Sequence, residues 1–196
     1  EAIGVEAACV EAIYNLGLVN KRLGQLKPAI MAFTKLHQIV PKDPQVIYQI
    51  ANLYESMDQP QRALDWFKTL QGTVPTDPGI LYRMGSLHQK EQDDTSAFHN
   101  YSESYTVYPV NMDIISWLGV WFVKARVYEK AIPIFERAAE IEPEEIKWKL
   151  MVASCLRRMG ALGRALKRYK EIHKQDPDNC ECLNYVCDIL KELNRD

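Results

Sequence analysis

Glycine is scarce in this sequence, 9 residues in 196, so breaks in the chain must be few and placed. Long apolar runs are missing: none approaches the ~18 residues that a membrane span requires, which excludes membrane insertion. A dominant charge is missing too. The formal net charge of −2 argues against a general nucleic-acid or membrane-surface binder, which would need a cationic excess. Residues 1–3 read Glu-Ala-Ile, with neither an initiator methionine nor a signal-peptide pattern, as expected of an internal segment of a longer protein. With 47% hydrophobic and 26% charged residues, the composition is that of a soluble, ordered chain.

Cysteine is equally sparing. Cys9, Cys155, Cys180, Cys182 and Cys187 are odd in number and unevenly spread, unlike the even framework of a disulfide scaffold. Cys180-x-Cys182-x4-Cys187 lacks a second ligand pair and a nearby histidine. On a helix, residues two apart face different ways and cannot share a metal. Reduced thiols and no metal or other cofactor are expected. Catalytic signatures are missing as well: the chain has no Gly-rich phosphate loop, no nucleophile elbow and no paired-His metal motif. His37 and His173 share one repeat position near a helix C-terminus, where a histidine is favourable without any ligand role. His88 and His99 are expected to stand apart from any cysteine or carboxylate constellation. The chain reads as a non-enzyme with no small-molecule substrate.

What the sequence does contain is a clock. Prolines 41, 75, 109, 143 and 177 recur every 34 residues, and so do Ala29, Ala63, Ala97, Ala131 and Ala165. The aromatics Phe33, Phe67, Tyr101, Phe135 and Tyr169 keep the same interval. A small residue recurs as Gly17, Ala51, Gly85, Gly119, Ala153 and Cys187, each behind an apolar one, from Leu16 to Val186. Apolar spacing around the small residue is helical, and a second amphipathic segment carrying the alanine and the aromatic follows about a dozen residues later. The small residue admits a close neighbouring helix. The aromatic shares a face with the alanine four positions before it, and the proline ends the second helix. Asp43-Pro44, Asp77-Pro78 and Asp176-Pro177-Asp178 mark turns. Each unit is therefore a helix–turn–helix hairpin whose open faces are buried by stacking.

These columns resemble the tetratricopeptide repeat. The resemblance implies an all-α, right-handed solenoid with repeats at 10–43, 44–77, 78–111, 112–145 and 146–179. Residues 1–9 would be the tail of a preceding repeat and 180–196 the start of a further repeat or a capping helix. Leu36, Leu70 and Ile172 occupy a site usually small, and Lys149 one usually apolar, with Trp148 beside it. Pro133, about one turn inside a second helix, should delay that helix or kink it. Stretches beyond the repeat columns narrow the resemblance. Gln45-Val-Ile-Tyr-Gln-Ile-Ala-Asn-Leu-Tyr-Glu, Val74-Pro-Thr-Asp-Pro, Lys147-Trp-Lys-Leu-Met-Val-Ala-Ser-Cys-Leu-Arg-Arg, Glu171-Ile-His-Lys and Asn179-Cys-Glu-Cys-Leu together resemble the family of long tetratricopeptide subunits of intraflagellar transport complex B. That resemblance implies a scaffold for cilium assembly and ciliary transport. It would bind other complex-B core subunits at the cilium or flagellum and basal body, on the cytoplasmic side. The alternative is a receptor for a linear peptide motif, unrelated to cilia.

Two surfaces are candidates for partners. Tyr14, Tyr48 and Tyr82 occupy one position in three successive first helices, seven residues before Lys21, Glu55 and Gln89, which are expected to face outward. With Asn52 and Ser86 one turn on, these tyrosines would line a concave groove having flat apolar area and hydrogen-bonding tips. The alternative is that the rings only pack between neighbouring first helices. A chaperone-tail carboxylate clamp is disfavoured: Asn52 and Arg83 match two of its positions, but tyrosines and Gly79 stand where it has lysines, leaving the carboxylate without charge-assisted contacts. The second surface is basic. Residues 146–174 carry 9 basic and 1 acidic side chains, against 4 basic and 11 acidic in 91–145. Lys147, Lys149, Arg157, Arg158, Arg164, Lys167 and Arg168 could dock an acidic partner, or form an ordinary solvated face. Nucleic acid is disfavoured because the neighbouring unit is strongly acidic.

Overall fold

A computed structural model describes residues 2–193, and all of their regular structure is helical. Helices α1 (Ala2–Arg22), α2 (Leu26–Ile39), α3 (Pro44–Ser56), α4 (Pro60–Thr73), α5 (Pro78–Lys90) and α6 (Asp94–Val107) form one compact body ending at Val107. A second body, from Tyr108, holds α7 (Met112–Lys124), α8 (Tyr128–Ile141), α9 (Ile146–Arg158), α10 (Leu162–Gln175) and α11 (Cys180–Leu193). In the first body α1 pairs with α2, α3 with α4 and α5 with α6, and each hairpin stacks on the next. In the second, α7 pairs with α8 and α9 with α10, α8 lies on α9, and α11 closes against α10. The fold is an all-α array of stacked hairpins.

Second helices begin 34 residues apart, from Leu26 to Leu162, and first helices keep that interval from Pro44 to Cys180. Local chemistry sets these starts. Asp43, Asp77 and Asn111 accept hydrogen bonds from the free amides of the following turn, and Asn179 does so from the Cys182 amide. Pro44 and Pro78 follow at the first helical position, where a missing amide hydrogen costs nothing. Glu145 holds the same register position without a side-chain cap.

The turn inside each hairpin is built identically five times. The amide of Gln25, Gln59, Asp93, Val127 or Ala161 donates to the carbonyl five residues back, 2.9–3.0 Å away, as in a Schellman C-cap. The residue before each of these amides is left-handed: Gly24 (φ 72°), Asp58 (55°), Gln92 (61°), Arg126 (59°) and Gly160 (77°). Only two of these five are glycine, so three turns carry a side chain in a conformation that L-residues resist.

The core is one contact repeated. Ala29, Ala63, Ala97, Ala131 and Ala165 are fully buried, and the aromatic four residues on is at most 4% exposed in every repeat. That aromatic ring lies over the small residue of the first helix. A methyl group built on Gly17 would stand 2.6 Å from the Phe33 ring, and one on Gly85 2.7 Å from the Tyr101 ring. Gly119 and Phe135 meet in the same way. The large residues at the usually small site are absorbed: Leu36, Leu70 and Ile172 are buried. In the third repeat that site is Ser104, whose hydroxyl donates to the Pro78 carbonyl at 2.9 Å. Trp148 takes a core position, stacking on Phe135 at 6.3 Å and donating its indole N–H to Glu142 at 2.7 Å, which leaves Lys149 to point elsewhere.

Residues 2–9 continue without a break into the first helix, since α1 runs from Ala2 to Arg22. The repeat clock explains this, since Ala7 stands where the terminal proline would fall and Cys9 where the capping Asp or Asn would, so nothing there stops a helix. Pro133 does not delay α8, which starts at Tyr128 in register with its counterparts. The Glu129 carbonyl is deprived of its amide donor instead.

The left-handed turns yield a reciprocal prediction. Arg126→Gly should stabilise the chain by about 0.5–1 kcal/mol and Gly160→Ala destabilise it by about 1 kcal/mol in urea unfolding. Both replacements shifting the midpoint in one direction would contradict this reading.

Candidate protein-binding surfaces

In the first body, the inner edges of α1, α3 and α5 form a groove of about 470 Å³. Tyr14 and Tyr48 line it together with Gln45, Gln49, Asp77 and Arg83, over an apolar floor of Leu70, Val74 and Ile80. Tyr82, Asn52 and Ser86 are not among its lining residues, so two of the three tyrosines share the groove. The three tyrosines are half-buried, each against the core aromatic of its own hairpin: Tyr14 on Phe33 at 5.5 Å, Tyr48 on Phe67 at 6.4 Å and Tyr82 on Tyr101 at 6.1 Å. These partners lie within one hairpin rather than on neighbouring first helices. Each ring thus keeps one side on the core and one edge toward solvent.

Lys21, Glu55 and Gln89 do not simply face outward. Lys21 donates to the Gln49 side chain at 2.8 Å, linking α1 to α3. Glu55 pairs with Arg83 at 2.8 Å, linking α3 to α5, and Gln89 accepts from the Tyr101 hydroxyl at 3.0 Å. The Arg83 guanidinium also lies over the Tyr48 ring, 5.6 Å from its centroid. Burial lowers the Lys21 pKa, with Tyr48 opposing and the Arg83 charge adding to the effect. A polar seam thus crosses three successive first helices beside the groove. The sequence signal for Gln49 and Arg83 was available: the position after the tyrosine is Asn15, Gln49 and Arg83, polar each time.

The basic residues of the second body do not form one patch. Lys149 donates to the Pro143 carbonyl at 2.7 Å and the Gln175 side chain at 2.9 Å. Arg168 reaches Glu136 at 2.9 Å and Glu171 at 3.7 Å. Arg157 turns the other way, stacked over Tyr185 at 4.5 Å, while Lys147 sits over Trp148 and pairs with Glu145. Arg158, Arg164 and Lys167 are exposed. Arg164, Lys167 and Arg168 line one side of the surface between α8 and α10, and Lys149 and Arg168 the other.

His88 and His99 each have one carboxylate neighbour, Asp93 at 3.5 Å and Glu103 at 3.9 Å, which the sequence reading did not anticipate. A hydrogen bond from Ser96 holds the Asp93 carboxyl below its usual range. Cys155 and Cys182 are buried, which raises their thiol pKa values, and Cys182 Sγ donates to the Tyr169 carbonyl at 3.1 Å. Cys180 and Cys182 do point to different environments, one exposed and one buried. Among the described residues no group of three His, Cys, Asp or Glu could hold a metal ion, and no helix is long and apolar enough to cross a membrane.

Residues 11–43 match the tetratricopeptide repeat family. Among curated proteins, the human intraflagellar transport protein 88 homolog is 48% identical over 59 residues, a stretch that is 30% of this chain and 7% of that protein. The chain thus matches only a small part of that relative's length. Solved structures share the fold at low identity. MamA protein superposes with a TM-score of 0.65 at 18% identity over 88% of this chain and 94% of its own. YrrB, described as a TPR protein with an unusual peptide-binding site, gives 0.63 at 21% over 83% and 84%. The structure of Naa15/Naa10 bound to HypK-THB gives 0.73 at 16% over 94% of this chain and 29% of the matched one.

In a double-mutant cycle of Tyr48→Ala and Arg83→Ala, urea unfolding should return a coupling of about 0.5–1 kcal/mol, the value of a half-exposed cation–π pair. Strict additivity would mean the guanidinium does not stack on the groove tyrosine.

Proposed function

We propose that this chain is a protein-interaction scaffold that works within intraflagellar transport complex B, binding other core subunits of that complex. The observation that carries the complex-B assignment is the 48% identity to the human intraflagellar transport protein 88 homolog over 59 residues. The solved structures above share 16–21% over 83–94% of the chain, a likeness of fold. The scaffold role is supported by the architecture: stacked hairpins offer long helical faces, and Tyr14, Tyr48 and Arg83 line the groove of the first body, our candidate seat for a partner segment. A ciliary location, on the cytoplasmic side, is part of the same proposal.

The chain, mixed with purified complex-B core subunits, should co-elute with at least one of them in size-exclusion chromatography. No co-elution with any subunit, together with binding of an unrelated peptide in the tyrosine groove, would replace this reading with that of a free-standing peptide receptor. Tyr14→Ala with Tyr48→Ala, in a chain of unchanged helicity, should weaken the interaction about tenfold or more. Unchanged binding would clear the groove of a role.

A further inference from the structure

We infer that the second body carries a docking groove of its own, on the face made by the second helices α8 and α10, and that its occupant is an acidic peptide segment. Two hollows lie along this face, of about 510 and 430 Å³, and they share Glu136, Arg168 and Glu171. They are one valley, crossed by the Arg168–Glu136 ion pair at 2.9 Å. One side is floored by Ala139, Val152 and Ile172, the other by Ile132 and Leu156. From Arg164 to Gln175 the valley follows about 16 Å of α10, enough for roughly five residues of extended chain.

The charge inventory selects the occupant. Every carboxylate in the valley is already answered by an arginine: Glu136 and Glu171 by Arg168, and Glu140 by Arg137 at 2.9 Å. The remaining cations are not. Lys149 meets only the neutral Pro143 carbonyl and Gln175 amide oxygens. Arg164 and Lys167, both exposed, make no ion pair or hydrogen bond among the described residues. A segment alternating acidic and apolar side chains answers both features. Its carboxylates reach Arg164, Lys167 and Lys149, and its apolar groups cover the floor. A further carboxylate takes Arg168 from Glu136, an exchange that costs little for a half-exposed pair. Glu136 is then a latch that the partner displaces. This inference rests on the scaffold reading, but on neither the tyrosine groove nor membership of complex B.

The test uses the whole chain and a short fluorescein-labelled peptide alternating glutamate and leucine, read by fluorescence anisotropy. Binding should occur and weaken as salt rises. Arg164→Glu with Lys167→Glu should weaken it about tenfold or more. Lys191→Glu, an exposed charge reversal on α11, should leave it unchanged. Glu136→Gln should strengthen it about threefold, because Arg168 then keeps only the longer contact with Glu171, at 3.7 Å. Urea midpoints confirm that each variant is folded. Equal binding of a lysine–leucine peptide, equal loss from Lys191→Glu, no gain from Glu136→Gln, or equal competition by a short DNA duplex would each overturn the inference. Failure to co-elute with complex-B subunits would refute the proposed function and leave this result standing.

Discussion

Each hairpin packs an aromatic ring of the second helix against a glycine or alanine column of the first, and in three of the five the ring rests where the first helix has no side chain at all. Phe33 over Gly17, Tyr101 over Gly85 and Phe135 over Gly119 bring the two backbones to a distance that a larger residue would not allow. The fully buried alanine one turn earlier on the second helix extends the contact. Because the contact recurs at a fixed interval, the hairpins stack in register. The tyrosines of the first helices lean on these core rings, so the groove in the first body is a consequence of the contact.

The chain holds its surfaces together in two different ways. In the first body, neighbouring first helices are tied by Lys21–Gln49 and Glu55–Arg83, a seam of long polar side chains beside half-buried tyrosines. In the second, the face between α8 and α10 is crossed by Arg168–Glu136, and Lys149, Arg164 and Lys167 have no carboxylate partner among the described residues. Partly exposed pairs contribute little to stability, so these ties can be exchanged for a partner's groups without unfolding the hairpin beneath.

The fold was almost wholly legible in the sequence, because the columns that build it are the columns that repeat. Helix starts, the small–aromatic contact and the closing prolines could all be counted off. The turn between the two helices of each hairpin could not, since Gly24, Asp58, Gln92, Arg126 and Gly160 share a backbone conformation and no side-chain chemistry. The sites were half-legible. The tyrosine column showed which face to examine, but not that Tyr82 falls outside the groove while Gln45, Asp77 and Arg83 fall inside it. Counting charges along 146–174 found the basic excess and missed its scattering, because helix geometry turns Arg157 toward Tyr185 and Arg168 toward α8.

The direct measurement is a comparison of two glycines in helices of one body. Gly85 faces the Tyr101 ring, whereas Gly72 in α4 has nothing within 4 Å of where a side chain would begin. Helix propensity favours valine over glycine at both sites, so urea unfolding of Gly85→Val and Gly72→Val isolates the packing term. Gly85→Val should lose about 1–3 kcal/mol while Gly72→Val is neutral or gains slightly. Equal midpoints for the two variants would contradict the claim that the ring-over-glycine contact holds its hairpin together.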